Sequence, residues 1–163
     1  MRDHSLTLAL AALFAAAPIA AQESGKEDAG NPRFGVWQLE SDAPPPSLNI
    51  MTYEAYGAGG MRVTVESTNG RGEQSKWSYV TMFDGVFRAV EGQENAETAV
   101  EIVDERTTRI SNRRDGRVYQ VIINVLSEDG NTIDNEYRRT DEDGNERVSH
   151  AVYHRIGGEG GLR

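Results

Sequence analysis

Apolar and polar residues alternate along most of this chain in short, even segments. Met61, Val63 and Val65 share one parity, and Arg62, Thr64 and Glu66 share the other. In a period-2 strand that sends the apolar set to a core and the polar set to water. Trp77, Tyr79, Thr81 and Phe83 form a second single-face row, and Ile110 alternates with Arg109 and Ser111. Tyr119, Val121, Ile123 and Val125 form a longer row that is expected to face inward. Beyond the N-terminal segment no ten-residue stretch carries a 3.6-residue period. The pattern predicts strands over 35–40, 48–56, 61–68, 75–83, 86–90, 98–103, 107–114, 117–127, 132–140 and 147–155.

Turn chemistry separates these segments. Asn69-Gly70, Asp84-Gly85, Asp115-Gly116, Asp129-Gly130 and Asp143-Gly144 are Asx-Gly pairs, the strongest short-range hairpin signal. Gly57-Ala58-Gly59-Gly60 and Glu91-Gly92 add further turns, and Asp42-Ala43-Pro44-Pro45-Pro46-Ser47 reads as an extended loop. Consecutive strands with short connections and no crossover helix form an antiparallel up-and-down meander. Such a sheet removes its exposed edges by closing, here into a barrel of 8–10 strands. A twisted β-sandwich is the alternative.

Hairpin geometry tests the pattern. A three-residue turn at Asp129-Gly130 would pair Val125 with Ile133 and Val121 with Tyr137. A two-residue turn at Asp115-Gly116 would pair Ile110 with Val121 and Asn112 with Tyr119. At Asp143-Gly144 two registers remain open. One brings Ser149 and Tyr153 to the apolar face, the other His150, Val152 and His154, because a one-residue slip reverses every side chain.

The first 21 residues, MRDHSLTLALAALFAAAPIAA, have the layout of a secretory signal peptide with cleavage after Ala21. Their apolar run is too short to span a bilayer, and no other segment predicts a membrane span. Residues 22–32 read as a flexible leader, 33–156 as the folded domain and 157–163 as a Gly-rich tail. Composition sharpens this picture. The chain has 163 residues, no cysteine, and 17 Lys+Arg against 26 Asp+Glu. The acidity resides in the domain, which carries 14 basic and 21 acidic residues. It argues against nucleic acid as partner. The absent cysteine excludes disulfides, a Cys-ligated zinc and a thiol nucleophile.

Phe34-Gly35-Val36-Trp37 opens the domain and Ala151-Val152-Tyr153-His154-Arg155-Ile156 closes it. These ends resemble those of lipocalins and fatty-acid-binding proteins, the calycin group. The whole run is similar to secreted bacterial lipocalin-like proteins of unknown function. The resemblance implies a barrel whose end is plugged by Trp37, with Arg155 lying across it. It implies periplasmic or secreted location and binding of a small apolar or amphipathic ligand. The helical lid of fatty-acid-binding proteins has no counterpart in the Pro-rich segment here.

Candidate sites follow from residue type. Tyr53, Trp77, Tyr79, Phe83, Tyr119 and Tyr137 are candidates to line a ligand cavity, or simply to fill the barrel. Trp37 and Arg155 are structural candidates, not catalytic ones. His150 and His154 lie some 13 Å apart along a strand, too far to chelate one metal together. Either could serve as an axial haem ligand, the basis of a haem-barrel alternative. Arg106, Arg109, Arg113, Arg114 and Arg117 could bind an anion or pair with neighbouring acids. The acidic run from Asp141 lacks calcium-loop spacing. No catalytic motif is present, no metal or cofactor is predicted, and oligomeric state is left unassigned. The first alternative is a protein-interaction or inhibitor-like barrel with a filled interior, and the haem-binding barrel is the second.

Overall fold

The computed structural model describes residues 30–141 and 143–158. The proposed signal peptide, most of the leader and most of the tail lie outside them. Ten strands follow one another: β1 (Gly35–Leu39), β2 (Leu48–Tyr56), β3 (Gly60–Thr68), β4 (Gln74–Thr81), β5 (Arg88–Ala89), β6 (Ala96–Ile102), β7 (Thr107–Arg114), β8 (Arg117–Leu126), β9 (Thr132–Thr140) and β10 (Glu146–Gly157). All pairings are antiparallel, in the order β4-β3-β2-β1-β10-β9-β8-β7-β6-β5. The chain's two ends therefore meet as β1 and β10, which pair directly. Among the described residues no helix is long and apolar enough to cross a membrane.

The sheet nearly closes between its edges β4 and β5. Ser78 N donates to Glu91 O at 3.0 Å, and Glu91 N donates back to Ser78 O at 2.8 Å. Gly92 follows at a φ of +84°, and a Cβ there would stand 2.6 Å from Lys76 O. Glycine is what lets the short edge seat against β4. This seam removes the unpaired edges an open sheet would expose.

Apolar parity decides the β2–β4 wall as expected. Tyr53 pairs with Val63 and Val63 with Tyr79; Met51 pairs with Val65 and Val65 with Trp77. All six point inward, and all but the half-buried Trp77 are buried. Phe83 is a correction. β4 ends at Thr81, and Phe83 sits beyond it at a φ of +57°, so it leaves the row and packs on the barrel's core from outside the strand.

The second correction is β8. Its inward row is Gln120, Ile122, Asn124 and Leu126, not Tyr119, Val121, Ile123 and Val125. Two local features shift it. The Asp115-Gly116 turn does contain two residues, since Arg114 pairs with Arg117. A β-bulge then leaves Tyr119 without a partner, so Asn112 pairs with Gln120 and Ile110 with Ile122. On the other side, Ser127 N donates to Thr132 O, closing a four-residue loop instead of three. Ser127 Oγ and Asp129 accept from the Asn131 and Thr132 amides and fix that loop. Leu126 thus faces Ile133, and Ile122 faces Tyr137. The last hairpin takes the register that pairs Tyr137 with Ser149 and Ile133 with Tyr153.

Candidate functional site

One end of the barrel is sealed by Trp37, which is 0% exposed. Its indole Nε1 donates to Arg33 O at 2.9 Å. Arg155 lies across the ring with its guanidinium carbon 4.1 Å from the centroid. The same guanidinium donates to Gly130 O at 2.8 Å, Phe34 O at 2.6 Å and Pro32 O at 2.6 Å. Burial lowers the Arg155 pKa from its usual range. The spacing of Gly35 and Trp37 now has a cause. Gly35 adopts a φ of +140°, and a Cβ would stand 2.6 Å from both Arg155 Nη1 and Gly157 O.

Above this seal lies a cavity of about 300 Å³. Five of the six aromatic candidates line it: Tyr53, Trp77, Tyr79, Tyr119 and Tyr137; Phe83 does not. Its walls differ in chemistry. Met51, Val63, Val65, Trp77 and Tyr79 form an apolar side, and Asn112, Gln120, Asn135, Tyr137 and Arg139 a polar one. Trp77 and Tyr79 stack with centroids 6.2 Å apart. Gln93, Glu97 and Tyr119 stand at the end opposite Trp37. Tyr119 reaches that rim only because of the bulge, and it is 36% exposed.

The polar side is hydrogen-bonded throughout. Arg33, only 4% exposed, reaches in from the sealed end. Its Nε donates to Asn124 Oδ1 at 3.1 Å and its Nη2 to Arg106 O. Asn124 Nδ2 donates to Asn135 Oδ1 at 2.8 Å, and Asn135 Nδ2 to the Tyr137 hydroxyl at 3.3 Å. Nearer the rim, the Gln120 amide oxygen accepts from Arg139 Nε at 2.6 Å and Nη2 at 2.9 Å. No buried side-chain polar atom among the described residues lacks a partner, as a stable interior requires.

Burial sets the protonation of the deep tyrosines. It pushes Tyr53 well above the ordinary phenol range, against the opposing pull of the Arg33 guanidinium. It pushes Tyr79 and Tyr153 up as well. These hydroxyls are neutral donors and acceptors. Burial also lowers the Arg33 pKa, while Tyr53 and Asp104 oppose that shift.

Two sequence-derived alternatives meet contrary geometry. The interior is not filled, because the cavity is there. His150 and His154 stand on the outer face, where His154 Nε2 lies 2.8 Å from Glu40 Oε2 and His150 Nδ1 lies 3.6 Å from Asp134 Oδ1. Neither lines the cavity, so neither can ligate a haem inside it. Three of the five clustered arginines pair with acids, and Arg114 donates to Gln93 Oε1 at 3.2 Å. Arg113 holds Glu97 at 2.6 and 2.9 Å, Arg109 holds Glu101 at 3.1 Å, and Arg106 meets Glu128 at 3.2 Å. Asp141 spends its carboxylate on the Asp143 and Asn145 amides and on Arg147.

Sequence reasoning missed Arg33, Asn124, Asn135, Gln120 and Arg139. One signal was available: Asn124 interrupts the apolar run Val121–Leu126, and a polar residue there has to be either outside or part of an internal network.

No protein-family model and no curated protein matches the chain. Solved structures do resemble it in fold. A Schistosoma mansoni fatty acid binding protein in complex with arachidonic acid is 15% identical, covers 77% of this chain and 96% of its own, and superposes with a TM-score of 0.56. The wild-type fluorescent protein UnaG is 12% identical, covers 76% of this chain and 96% of its own, with a TM-score of 0.53. At these identities the likeness shows the fold alone: a calycin-type barrel.

Proposed function

We propose that this protein is an exported, non-enzymatic carrier of a compact apolar or amphipathic molecule held inside the barrel. The observation that carries the reading is the cavity of about 300 Å³, with an apolar wall facing a polar one. Binding sites combine these two features, apolar surface for affinity and a few placed polar groups for orientation. The volume lies at the low end for such sites, so the ligand is compact. The Schistosoma protein of this fold holds arachidonic acid, which supports an apolar ligand here without naming it.

Export rests on the N-terminal 21 residues; the resemblance to secreted bacterial lipocalin-like proteins points to the periplasm or beyond. Protein isolated from the cell envelope should begin at Gln22, and Met1 at the N-terminus would refute processing. Native mass spectrometry of that material is expected to show a bound small molecule. Ala96, 5% exposed, lines the cavity. Ala96→Phe places a ring in it, and the variant should lose the bound mass while staying folded. Retention of the bound mass would place the ligand elsewhere.

A further inference from the structure

The inner polar wall is wired in one direction. A guanidinium donates hydrogen bonds and cannot accept them. Arg33 Nε on Asn124 Oδ1 therefore fixes the Asn124 amide with its oxygen toward Arg33. Asn124 Nδ2 must then donate to Asn135 Oδ1, which turns Asn135 Nδ2 onto the Tyr137 oxygen. The Tyr137 hydroxyl accepts from Asn135, so its own proton points away from that chain. Tyr153 stands beside Tyr137 and itself donates to Asn49 Oδ1 at 3.4 Å. The chain from Arg33 thus ends in the Tyr137 hydroxyl at the cavity wall, while the Tyr153 proton is held by Asn49. Reversing it would require Arg33 to accept, or would leave a buried acceptor unpaired. Arg33 itself does not line the cavity.

We propose that Arg33 is a positioning residue for the ligand. By orienting Asn124, Asn135 and Tyr137 it makes the cavity select a compact apolar molecule that presents a hydrogen-bond acceptor, a carbonyl or carboxylate oxygen, to the Tyr137 hydroxyl. This rests on the cavity-binding reading above and adds which end of a polar bond the ligand supplies. Successive bonds in a chain polarise one another, and the cationic first donor strengthens the rest.

The test uses two neutral probes of one shape, 2-acetylnaphthalene and 2-isopropenylnaphthalene, which differ by a carbonyl oxygen in place of a methylene. Neutral probes remove the direct pull of the Arg33 and Arg139 charges on the ligand. Titration calorimetry on the full chain gives the affinity ratio of ketone to hydrocarbon. Arg33→Met and Asn135→Leu should each lower that ratio about tenfold, the effect of one lost hydrogen bond. Arg33→Lys, which still donates, should restore most of it. Should Arg33→Met not fold, Asn135→Leu cuts the chain with Arg33 in place. An unchanged ratio in folded Asn135→Leu overturns the proposal. So does a fall in Arg33→Met without one in Asn135→Leu, because Arg33 would then act through its field and not the chain. If neither probe binds the wild type, the cavity-binding reading itself fails and takes this inference with it. Hydrocarbon binding with a constant ratio overturns only the role of Arg33.

Discussion

Replacing Arg155 by Met keeps an unbranched apolar stem and removes every polar contact that Arg155 makes in the plug. Three charge-assisted hydrogen bonds to Gly130 O, Phe34 O and Pro32 O are lost, together with the stacking on Trp37. Hydrogen bonds to a charged group contribute roughly 1.5–3 kcal/mol each, and a cation–π contact roughly 0.5–2. The three carbonyls lie near the surface and regain water, so the low end applies and the sum is discounted to about 4 kcal/mol. For a domain of this size that is a fall in Tm of about 15 °C. Urea unfolding followed by tryptophan fluorescence measures it, with Arg117→Met on the exposed Asp115-Gly116 hairpin as the neutral control. Arg155→Lys should recover less than half, because a single ammonium cannot span three carbonyls while lying flat on a ring. Stability of Arg155→Met within about 1 kcal/mol of the wild type would refute the plug as a structural device.

Further outcomes follow from the same coordinates. Gly35→Ala drives a Cβ to 2.6 Å from Gly157 O at a φ of +140° and should cost about 3 kcal/mol or more, read by urea unfolding; a soluble variant of wild-type stability would contradict it. The raised pKa of Tyr53, Tyr79 and Tyr153 means the folded state favours the neutral phenol. Stability should be level below the unfolded phenol value of about 10 and fall as pH rises beyond it. Tyrosinate absorbance should then grow cooperatively with unfolding, and its smooth growth in a folded protein would oppose the buried assignment. At the acid side Asp84, Glu97, Asp104 and Asp129 are held below the ordinary carboxylate range, chiefly by hydrogen bonds from Arg88, Arg113, the Arg106 amide and Ser127. Their contribution should be intact above about pH 4.5 and decline below it, visible as a falling Tm in calorimetry at low salt. Haem titration should give no Soret shift that depends on His150 or His154, and a shift abolished by His154→Ala would reopen that alternative.

Local chemistry wrote most of the fold into the sequence. All ten strands stand within about two residues of where alternation and Asx-Gly turns put them. β5 is shorter, two residues, and its ladder with β6 holds only Arg88 opposite Thr98 and Ala89 opposite Glu97. On β3 Met61, Val63 and Val65 take one parity and Arg62, Thr64 and Glu66 the other, so its inward face follows from burial alone. The Trp37 seal was legible only through the resemblance of the chain's two ends to those of the calycin group, which implied that Arg155 lies across the ring.

β8 shows where that legibility stops. Between Tyr119 and Leu126 both parities are rich in apolar residues, and the all-apolar one is the outer one at Val121, Ile123 and Val125, the bulge carrying Tyr119 to the cavity rim. Hydrophobicity favours the wrong face because the interior here is not an oily core. Gln120 and Asn124 are stable inside only because Arg139, Arg33 and Asn135, distant in sequence, satisfy them. The bulge at Tyr119 and the four-residue loop after Ser127 are each a one-residue choice, and period-2 geometry turns one residue into a reversed face. The sequence by itself determined an antiparallel meander and the places where its turns fall, because those depend on neighbours along the chain. Tertiary structure alone decided the cavity and its polar wall, because a buried amide or guanidinium is tolerated only when partners from other strands arrive to pair with it.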